Sequence, residues 1–239
     1  CPYTDSTNHF HCQTTPTKGS SSTNTIPNSG TYSGYICPSG NSVGHYYNGC
    51  WTTSGSSGNY THTWKTNSKN TWGGCVTDRA QDNDVKNTTP VAGTIPTMMV
   101  AENSPSCAAT ALLPLGYNWT SLSNEVDAMT ANGSTNQTIG LAWGWQAQTS
   151  GVPLSAGALP ANTQQVMILL SDGLNTQDRW YGDGSNQSTQ VDGRMSAACT
   201  NLKASGMTIY TVFVDLNGTQ GNSSVLQNCA SDPSKYFDL

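Results

Sequence analysis

The stretch MILLSDGLNT, residues 167–176, carries an apolar run directly into an acid, a glycine and small polar residues. A short continuous apolar run that ends in turn residues is typical of a strand buried on both faces of a sheet. The last step of this run delivers the carboxylate of Asp172. Two interpretations follow: Asp172 forms the next turn, or it holds a ligand at the end of a sheet.

A helix is predicted before this strand. TSLSNEVDAMTANG, residues 120–133, offers Thr120 or Ser121 as an N-cap, and Gly133 lies past its end. Three apolar residues recur at helical spacing and share one face: Leu122, Val126 and Met129.

The following segments alternate between helix and strand. A second helix is predicted over 138–150, where Gly140 and Gly144 would let it pack close to a sheet. Strands are predicted over 165–170, 207–214 and from residue 235, with helices over 188–206, ending at Gly206, and 223–231. This order predicts an α/β fold with a parallel sheet and right-handed crossovers.

Residues 1–74 differ in composition from the rest of the chain. They are poor in Leu, Ile and Val and rich in aromatic and turn-forming residues, and no regular period persists. We expect a long insertion with little regular structure, held by disulfides, with short strands such as residues 59–64. Residues 75–239 would then form the α/β domain.

The eight cysteines show no CxxC spacing, which argues against a zinc site. An even count in a Ser/Thr/Gly-rich chain predicts disulfides and an oxidising compartment. The sequence does not select a connectivity, and pairing of nearest neighbours is our prediction. The predicted pairs are Cys1–Cys12, Cys37–Cys50, Cys75–Cys107 and Cys199–Cys229, the last being the best supported because it would join two neighbouring helices.

Charge and motif content exclude several classes of function. The net charge of −5 argues against a nucleic-acid partner. No apolar run reaches the roughly 20 residues that span a bilayer, so membrane attachment would come from segments outside this chain. All four histidines lie within residues 1–62, and no G-x-S-x-G, paired carboxylates or phosphate loop occurs. We therefore predict that the protein is not an enzyme.

Thr135 and Asp172 form the candidate site. In an open parallel sheet, ligands bind beyond the carboxyl ends of the strands, where Asp172 is expected to lie. Thr135 stands in the loop before the predicted second helix. Hydroxyl and carboxylate oxygens are hard ligands that suit Mg²⁺ or Mn²⁺. The alternatives are an N-cap role for Thr135 and a turn-forming role for Asp172.

The pattern T-x-x-x-x-G-L at residues 135–141, followed by an apolar strand ending in SDG, resembles the second half of a von Willebrand factor A domain. Three phrases are further similar to bacterial TadG-type proteins of tight-adherence (Flp) pilus assembly: WGGCVTDR, TNQTIGLAWGWQ and ILLSDGLNTQDRWYGDGS. The similarity covers residues 72–239. It implies a three-layer, Rossmann-like domain with a metal-ion-dependent adhesion site, in which Thr135 and Asp172 match the second and third ligand loops.

The first ligand element of that family, D-x-S-x-S after a central strand, is not found. The run from Asp183 has Gln187 in place of the last serine, and the run from Asp215 follows a strand in the wrong order. We expect the central strand to lie upstream of Cys1. The metal site would then be partial, and an upstream segment or another chain would complete the sheet.

The resemblance implies adhesion or pilus assembly at a bacterial cell surface, extracellular or periplasmic, with a pilus component or surface ligand as the protein partner. Two alternatives stay open. A secreted carbohydrate-binding or hydrolytic protein would use the aromatic residues of the insertion, residues 1–74, to grip glycans. Trp143 and Trp145 could also stack on sugar, although aromatic residues on an Ala/Leu-containing helix more often fill the core. A structural filament or tip subunit would need no metal.

Overall fold

The computed structural model describes residues 74–92, 94–101, 110–154, 156–215, 218 and 223–239, and the backbone of short strands within residues 2–66. Contacts divide the chain into two units. The first comprises Cys1–Ala80 and Ala92–Ala108, and the second comprises Gln81–Val91 and Ala109–Leu239. The sequence places a boundary at residue 75, whereas the contacts assign residues 75–80 and 92–108 to the first unit.

The first unit contains short strands. They are β1 (Pro2–Thr4), β2 (His9–Cys12), β3 (Thr23–Pro27), β4 (Ser33–Gly34), β5 (Gly49–Ser54), β6 (Asn59–Thr66), β7 (Val76–Thr77) and β8 (Val100–Ala101). The sheet orders are β1-β2-β4, β3-β6-β5 and β7-β8. The strand predicted over residues 59–64 is confirmed as β6, which pairs antiparallel with β3 and β5.

The second unit contains the predicted parallel sheet. Its elements are α1 (Trp119–Ala128), α2 (Gln137–Ala147), β9 (Val166–Ser171), α3 (Thr189–Ala204), β10 (Thr208–Phe213), α4 (Ser224–Cys229) and β11 (Tyr236–Asp238). The order is β11-β10-β9, and both pairings are parallel. The prediction of an α/β fold with parallel strands is therefore confirmed at this level.

The helices begin where short polar side chains accept the free backbone N–H groups of the first turn. Asn136, Ser188 and Ser223 cap α2, α3 and α4 in this way. Thr120 or Ser121 as the cap of α1 was a wrong prediction, because the Asn118 side chain accepts from the Ser121 N–H at 3.0 Å. Gly206 follows the end of α3 at a φ of +90°, as predicted.

The core lies between one face of the sheet and helices α2, α3 and α4. We call this covered side the inner face, and on β10 its residues are fully buried. The cluster includes Leu141, Met167, Met195, Leu202, Ile209, Phe213 and Leu226. The predicted Cys199–Cys229 disulfide is confirmed and joins α3 to α4 with a Cα–Cα distance of 5.2 Å.

The other disulfide predictions fall largely outside the described side chains. Cys75 is disulfide-bonded, but its predicted partner, Cys107, lies outside the described residues. The pairs Cys1–Cys12 and Cys37–Cys50 lie outside the described side chains as well.

Gly144 allows α2 to approach β9 closely. A Cβ added at this position would lie 2.7 Å from Met167 Sδ, closer than unbonded carbon and sulfur atoms pack. At Gly140 an added Cβ would meet nothing within 4 Å. The predicted close packing through glycine is thus confirmed for Gly144 and is wrong for Gly140.

A segment from the first part of the chain packs onto α3. It contains the 3-10 helix Asn83–Val85, and Val85 joins the core. Arg194 donates through Nε and Nη2 to the two carboxylate oxygens of buried Asp84, at 2.8 and 2.5 Å. Nη2 also lies 3.0 Å from Asp82 Oδ1. These charge-assisted bonds fasten residues 82–85 to the α3 surface.

The opposite side of the sheet is open, so the prediction that β9 is buried on both faces is wrong. Val166, Ile168 and Leu170 are 41, 68 and 65% exposed. β9 is an edge strand of the described sheet, and no described element covers this side. The register places Tyr210, Val212 and Phe237 beside them. We call these six residues the outer face. In the described part of the chain, the unit therefore has two layers, one of helices and one sheet, and not the three layers predicted.

Helix α1 also exposes its apolar side. None of its residues is buried. Four exposed apolar side chains lie along one side at helical spacing: Trp119, Leu122, Val126 and Met129. We call this set the α1 stripe, and it extends the face predicted from the sequence by Trp119.

Candidate functional site

The candidate site lies at the rim formed by the carboxyl ends of β9 and β10, where α2 begins. Gln137, in the first turn of α2, is buried against this rim. Its Nε2 donates to Ser171 Oγ at 2.6 Å and to the Gly173 carbonyl at 2.7 Å. Ser171 and Gly173 flank Asp172, so Gln137 holds both sides of the predicted ligand.

The loop that carries Thr135 is fixed to the same rim by its backbone. The Thr135 N–H donates to Thr176 Oγ1 at 2.9 Å. The Thr135 carbonyl accepts from the N–H groups of Thr176 and Gln177 at 2.9 and 3.2 Å. The structure therefore brings the Thr135 and Asp172 loops together, and metal binding by their side chains stays a prediction.

Asn175 connects the starts of two helices below the rim. Its side chain is fully buried and accepts the Gln137 N–H at 2.9 Å. Its Nδ2 donates to Asp192 Oδ1 in the first turn of α3 at 2.9 Å, and its backbone carbonyl accepts the Ser188 N–H at 2.9 Å. Both helix N-termini, which carry partial positive charge, thus lie at the rim and favour carboxylates there.

Two simpler interpretations of the ligand candidates have different outcomes. Thr135 as the N-cap of α2 is wrong, because Asn136 caps the helix and its Oδ1 accepts the Ile139 N–H at 3.2 Å. Asp172 is exposed and stands in a turn in which the Ser171 hydroxyl contacts both the N–H and the carbonyl of Gly173, at 3.3 and 3.0 Å. The turn-forming role of Asp172 stays open beside the ligand role.

The two other acids considered from the sequence lie in different settings. Asp183 closes its own turn, accepting the N–H groups of Ser185 and Asn186 at 2.8 Å. The hydrogen bonds from Asn186 and then Ser185 lower the pKa of Asp183 to about 2. Asp215 follows β10 at the rim, where the adjacent Val214 N–H donates to the Ser171 carbonyl at 2.9 Å.

The loop after the rim is held by a buried acid and a glycine. Burial raises the pKa of Asp178, although the Trp180 and Tyr181 N–H groups, at 2.7 and 2.6 Å from its Oδ1, work in the opposite direction. Gly182 has a φ of +88°, and a Cβ there would lie 2.1 Å from the Thr176 carbonyl oxygen. The loop therefore keeps its shape only with glycine at 182.

The donor chemistry at the rim fits a hard divalent cation. Gln137 Oε1 is buried without a hydrogen-bond partner, and it belongs to the amide whose Nε2 contacts both neighbours of Asp172, so it is a third candidate oxygen. Hydroxyl, carboxylate and amide oxygens suit Mg²⁺ or Mn²⁺, which retain several waters. Among the described residues no group of three His, Cys, Asp or Glu side chains could hold a metal. Water or a partner would therefore have to supply most of the coordination.

The aromatic insertion on which the carbohydrate-binding alternative depends lies outside the described side chains, whereas the two tryptophans of α2 are described. Trp145 belongs to the hydrophobic core, where it is 8% exposed, and Trp143 is half-buried. Core packing, which the sequence left open, is confirmed for Trp145.

Sequence reasoning found Thr135 and Asp172 but missed Gln137 and Asn175, which position them. The available signal was an amide residue directly after a helix cap and another just beyond the strand. Buried amides in such positions satisfy backbone groups of neighbouring loops.

Comparison of the chain with protein-family models, with curated proteins and with solved structures gives no match. Within the described part of the chain, no helix combines the length and apolar character needed to cross a membrane. The case for a function therefore depends on the residues and on the geometry of the rim.

Proposed function

We propose that this protein is a non-enzymatic adhesion or assembly protein that binds a protein partner at the rim through Mg²⁺ or Mn²⁺. One observation supports this proposal most. Gln137, two residues after Thr135, donates hydrogen bonds to both neighbours of Asp172, the Ser171 hydroxyl and the Gly173 carbonyl. The resemblance to A domains of TadG-type proteins suggests the partner class, which is a pilus component or another surface ligand.

Each rim residue has a distinct role in this proposal. The Thr135 hydroxyl and the Asp172 carboxylate hold the cation, directly or through water, while Gln137 and Asn175 fix the two loops. A bound cation supplies an open coordination position for a carboxylate of the partner. The N-termini of α2 and α3 add favourable partial charge for that incoming carboxylate.

The disulfide chemistry supports a location outside the cytosol. Cys199–Cys229 joins two helices of the parallel-sheet unit, and Cys75 is also disulfide-bonded. Such bonds persist in oxidising compartments. We therefore place the protein at the cell surface or in the periplasm.

Cation binding to the full chain tests the proposal. We expect Mn²⁺, followed by electron paramagnetic resonance, to bind weakly, with a dissociation constant of about 10⁻⁴ to 10⁻³ M, the range of weak extracellular Ca²⁺ sites. Asp172→Asn and Thr135→Ala should each weaken binding at least about tenfold, a loss typical when a supporting group of a metal site is removed.

Asp183→Asn is the matched control, because it removes the same charge from a neighbouring exposed turn. It should leave Mn²⁺ affinity within about twofold, since surface charges interact weakly. Equal binding by the parent and by Asp172→Asn would overturn the site assignment.

A second candidate is a structural filament or tip subunit that needs no metal. The specific observation in its favour is that β9 pairs with no second strand among the described residues and that its outer face is exposed. An upstream segment or another chain could add a strand to this edge. Assembly that survives removal of divalent cations with EDTA would favour this candidate over the first.

A further inference from the structure

An Asn–Gly pair, Asn132 and Gly133, lies on the exposed connection between α1 and the Thr135 loop. It is the one Asn–Gly pair of the chain for which the structure describes both residues. The side-chain amide of an asparagine can react with the backbone nitrogen of the next residue. Glycine hinders that approach least, because it has no side chain and its backbone adopts the widest range of conformations.

We infer that Asn132 is a site of spontaneous deamidation. The deprotonated Gly133 nitrogen attacks Cγ of Asn132, so that an N–Cγ bond forms and the bond from Cγ to Nδ2 breaks. Ammonia leaves with the proton that Gly133 gave up. Water then opens the cyclic imide at either of its carbonyls and yields aspartate or isoaspartate. This inference goes beyond the proposed function and holds whether or not the rim binds a cation.

The structure leaves the reacting groups of this pair unrestrained. Within the described part of the chain, neither Asn132 nor Gly133 makes a hydrogen bond. Both residues are exposed, and a Cβ added at Gly133 would meet nothing within 4 Å. An intramolecular attack depends on how freely the two atoms reach their reactive geometry. The fold does not oppose that approach here.

Three Asp–Gly pairs of the same unit could form the same cyclic imide, and the structure holds each of them. The Asp183 carboxylate accepts the N–H groups of Ser185 and Asn186 at 2.8 Å. The Gly184 N–H, which would be the attacking group, donates to the Thr176 carbonyl at 3.1 Å. Both reactants of this pair are therefore engaged elsewhere.

The second pair, Asp192 and Gly193, lies within α3, where the helix fixes the backbone. The Asp192 carboxylate also accepts from Asn175 Nδ2 and Gln187 Nε2, at 2.9 and 2.7 Å. We expect these restraints to keep the carboxylate away from the Gly193 nitrogen.

The third pair, Asp172 and Gly173, lies at the rim. The Gly173 N–H donates to Ser171 Oγ at 3.3 Å, and the Gly173 carbonyl accepts from Gln137 Nε2 at 2.7 Å. Asn132 thus differs from all three acids in the freedom of its backbone as well as in its side chain.

The position of Asn132 allows the fold to tolerate the product. Helix α1 ends at Ala128, and the chain is next anchored at Ser134, whose Oγ donates to the Gly184 carbonyl at 3.3 Å. Isoaspartate lengthens the main chain by one carbon, and that extra length falls between these two points. Either product adds a negative charge three residues before Thr135.

Incubation of the full chain at neutral pH, folded or unfolded in guanidinium chloride, tests the inference. Mass spectrometry with electron-transfer fragmentation locates each product and separates aspartate from isoaspartate. Asn132 should convert in the folded chain at a rate within about threefold of its rate in the unfolded chain, because few contacts restrain it. Isoaspartate at Asp183 and Asp192 should form at least about tenfold more slowly in the folded chain than in the unfolded chain.

Asn132→Gln is the matched control, because it keeps the amide but must close a larger ring. It should abolish the product at this position, whereas in the parent the rate should rise with pH as more of the Gly133 nitrogen is deprotonated. The urea midpoint of the converted protein should equal that of the parent. An Asn132 that survives in the folded chain under conditions that convert it in the unfolded chain would overturn the inference, and so would a rate that does not respond to pH. Loss of Mn²⁺ binding alone would not affect it.

Discussion

The two faces of the parallel sheet are built from alternate residues of the same strands, yet the described helices cover only one of them. On β10, Ile209 and Phe213 face α3 and α4 and have no exposed surface. On β9, Ile168 and Leu170 point the other way and stay more than half exposed. Apolar side chains on both sides show that composition alone does not decide burial; the presence of a packing layer does.

The rim and the outer face of this unit also differ in the kind of group that each could bind. At the rim, polar side chains and two helix N-termini are held by long-range hydrogen bonds, which suits recognition of a charged group. The outer face is apolar and lacks such a network, which suits burial against another apolar surface. The predictions below test this division, beginning with the largest expected effect.

The largest expected difference is between two isoleucine-to-alanine substitutions, one on each face of the sheet. Ile209→Ala should lower the free energy of unfolding by about 2–5 kcal/mol, because it leaves a cavity in the core. Ile168→Ala should cost less than about 0.5 kcal/mol, because the side chain is 68% exposed. Urea titrations followed by circular dichroism measure both values, and equal losses would break the comparison.

The disulfide on the covered side should contribute strongly as well. Cys199 and Cys229 are 30 residues apart, and closing a loop of this length stabilises by about 3–4 kcal/mol through the unfolded chain. Replacing both with Ala, which introduces no buried hydroxyl, should lower the unfolding free energy by that amount. A loss below about 1 kcal/mol would show that α3 and α4 are held by packing alone.

The ion pair on α3 extends the covered side to residues 82–85. Arg194→Met removes the partner of buried Asp84 and should cost about 2–4 kcal/mol, since a buried carboxylate is left uncompensated. The double variant Arg194→Met with Asp84→Leu should recover much of this loss. The Val85 N–H donates to the Asp82 carbonyl, and the Asn201 side-chain amide donates to the Val85 carbonyl at 2.8 Å. Hydrogen exchange at these two groups reports whether the segment has detached, and unchanged protection in Arg194→Met would contradict the assignment.

The two glycines of α2 provide the smallest and most closely matched test. Gly140→Ala should stabilise the protein by about 0.5–1 kcal/mol, because an added methyl group meets open space and alanine favours the helix. Gly144→Ala should lose that gain, because its methyl group must displace the end of the Met167 side chain on the inner face. Thermal unfolding of both variants checks this order, and an equal gain at Gly144 would contradict close packing there.

Much of the fold could be predicted because its signals are local. The helices α2, α3 and α4 begin at short polar caps, and the strands β9 and β10 coincide with apolar runs that end in turn residues. The exposure of Ile168 could not be predicted, because an apolar residue in such a run looks the same beside a full sheet and at an edge. Whether a packing layer exists is a property of distant segments.

The rim was predictable only in part. Thr135 and Asp172 are visible as a hydroxyl before a helix and an acid after a strand. The roles of Gln137 and Asn175 depend on each other across 38 residues, a separation at which no periodic pattern operates. Asn118 was overlooked as the cap of α1 because polar residues inside the helix offered equally acceptable caps.

The most direct test of the rim as a cation site is nuclear magnetic resonance of the isotopically labelled full chain during Mn²⁺ addition. The account predicts that amide signals of Gln137 and Gly173 broaden first, while those of Val166 and Thr208 at the opposite end of the strands stay sharp. Asp172→Asn should remove this selective broadening. Broadening that begins at Val166 and Thr208, or that persists unchanged in Asp172→Asn, would contradict the central claim.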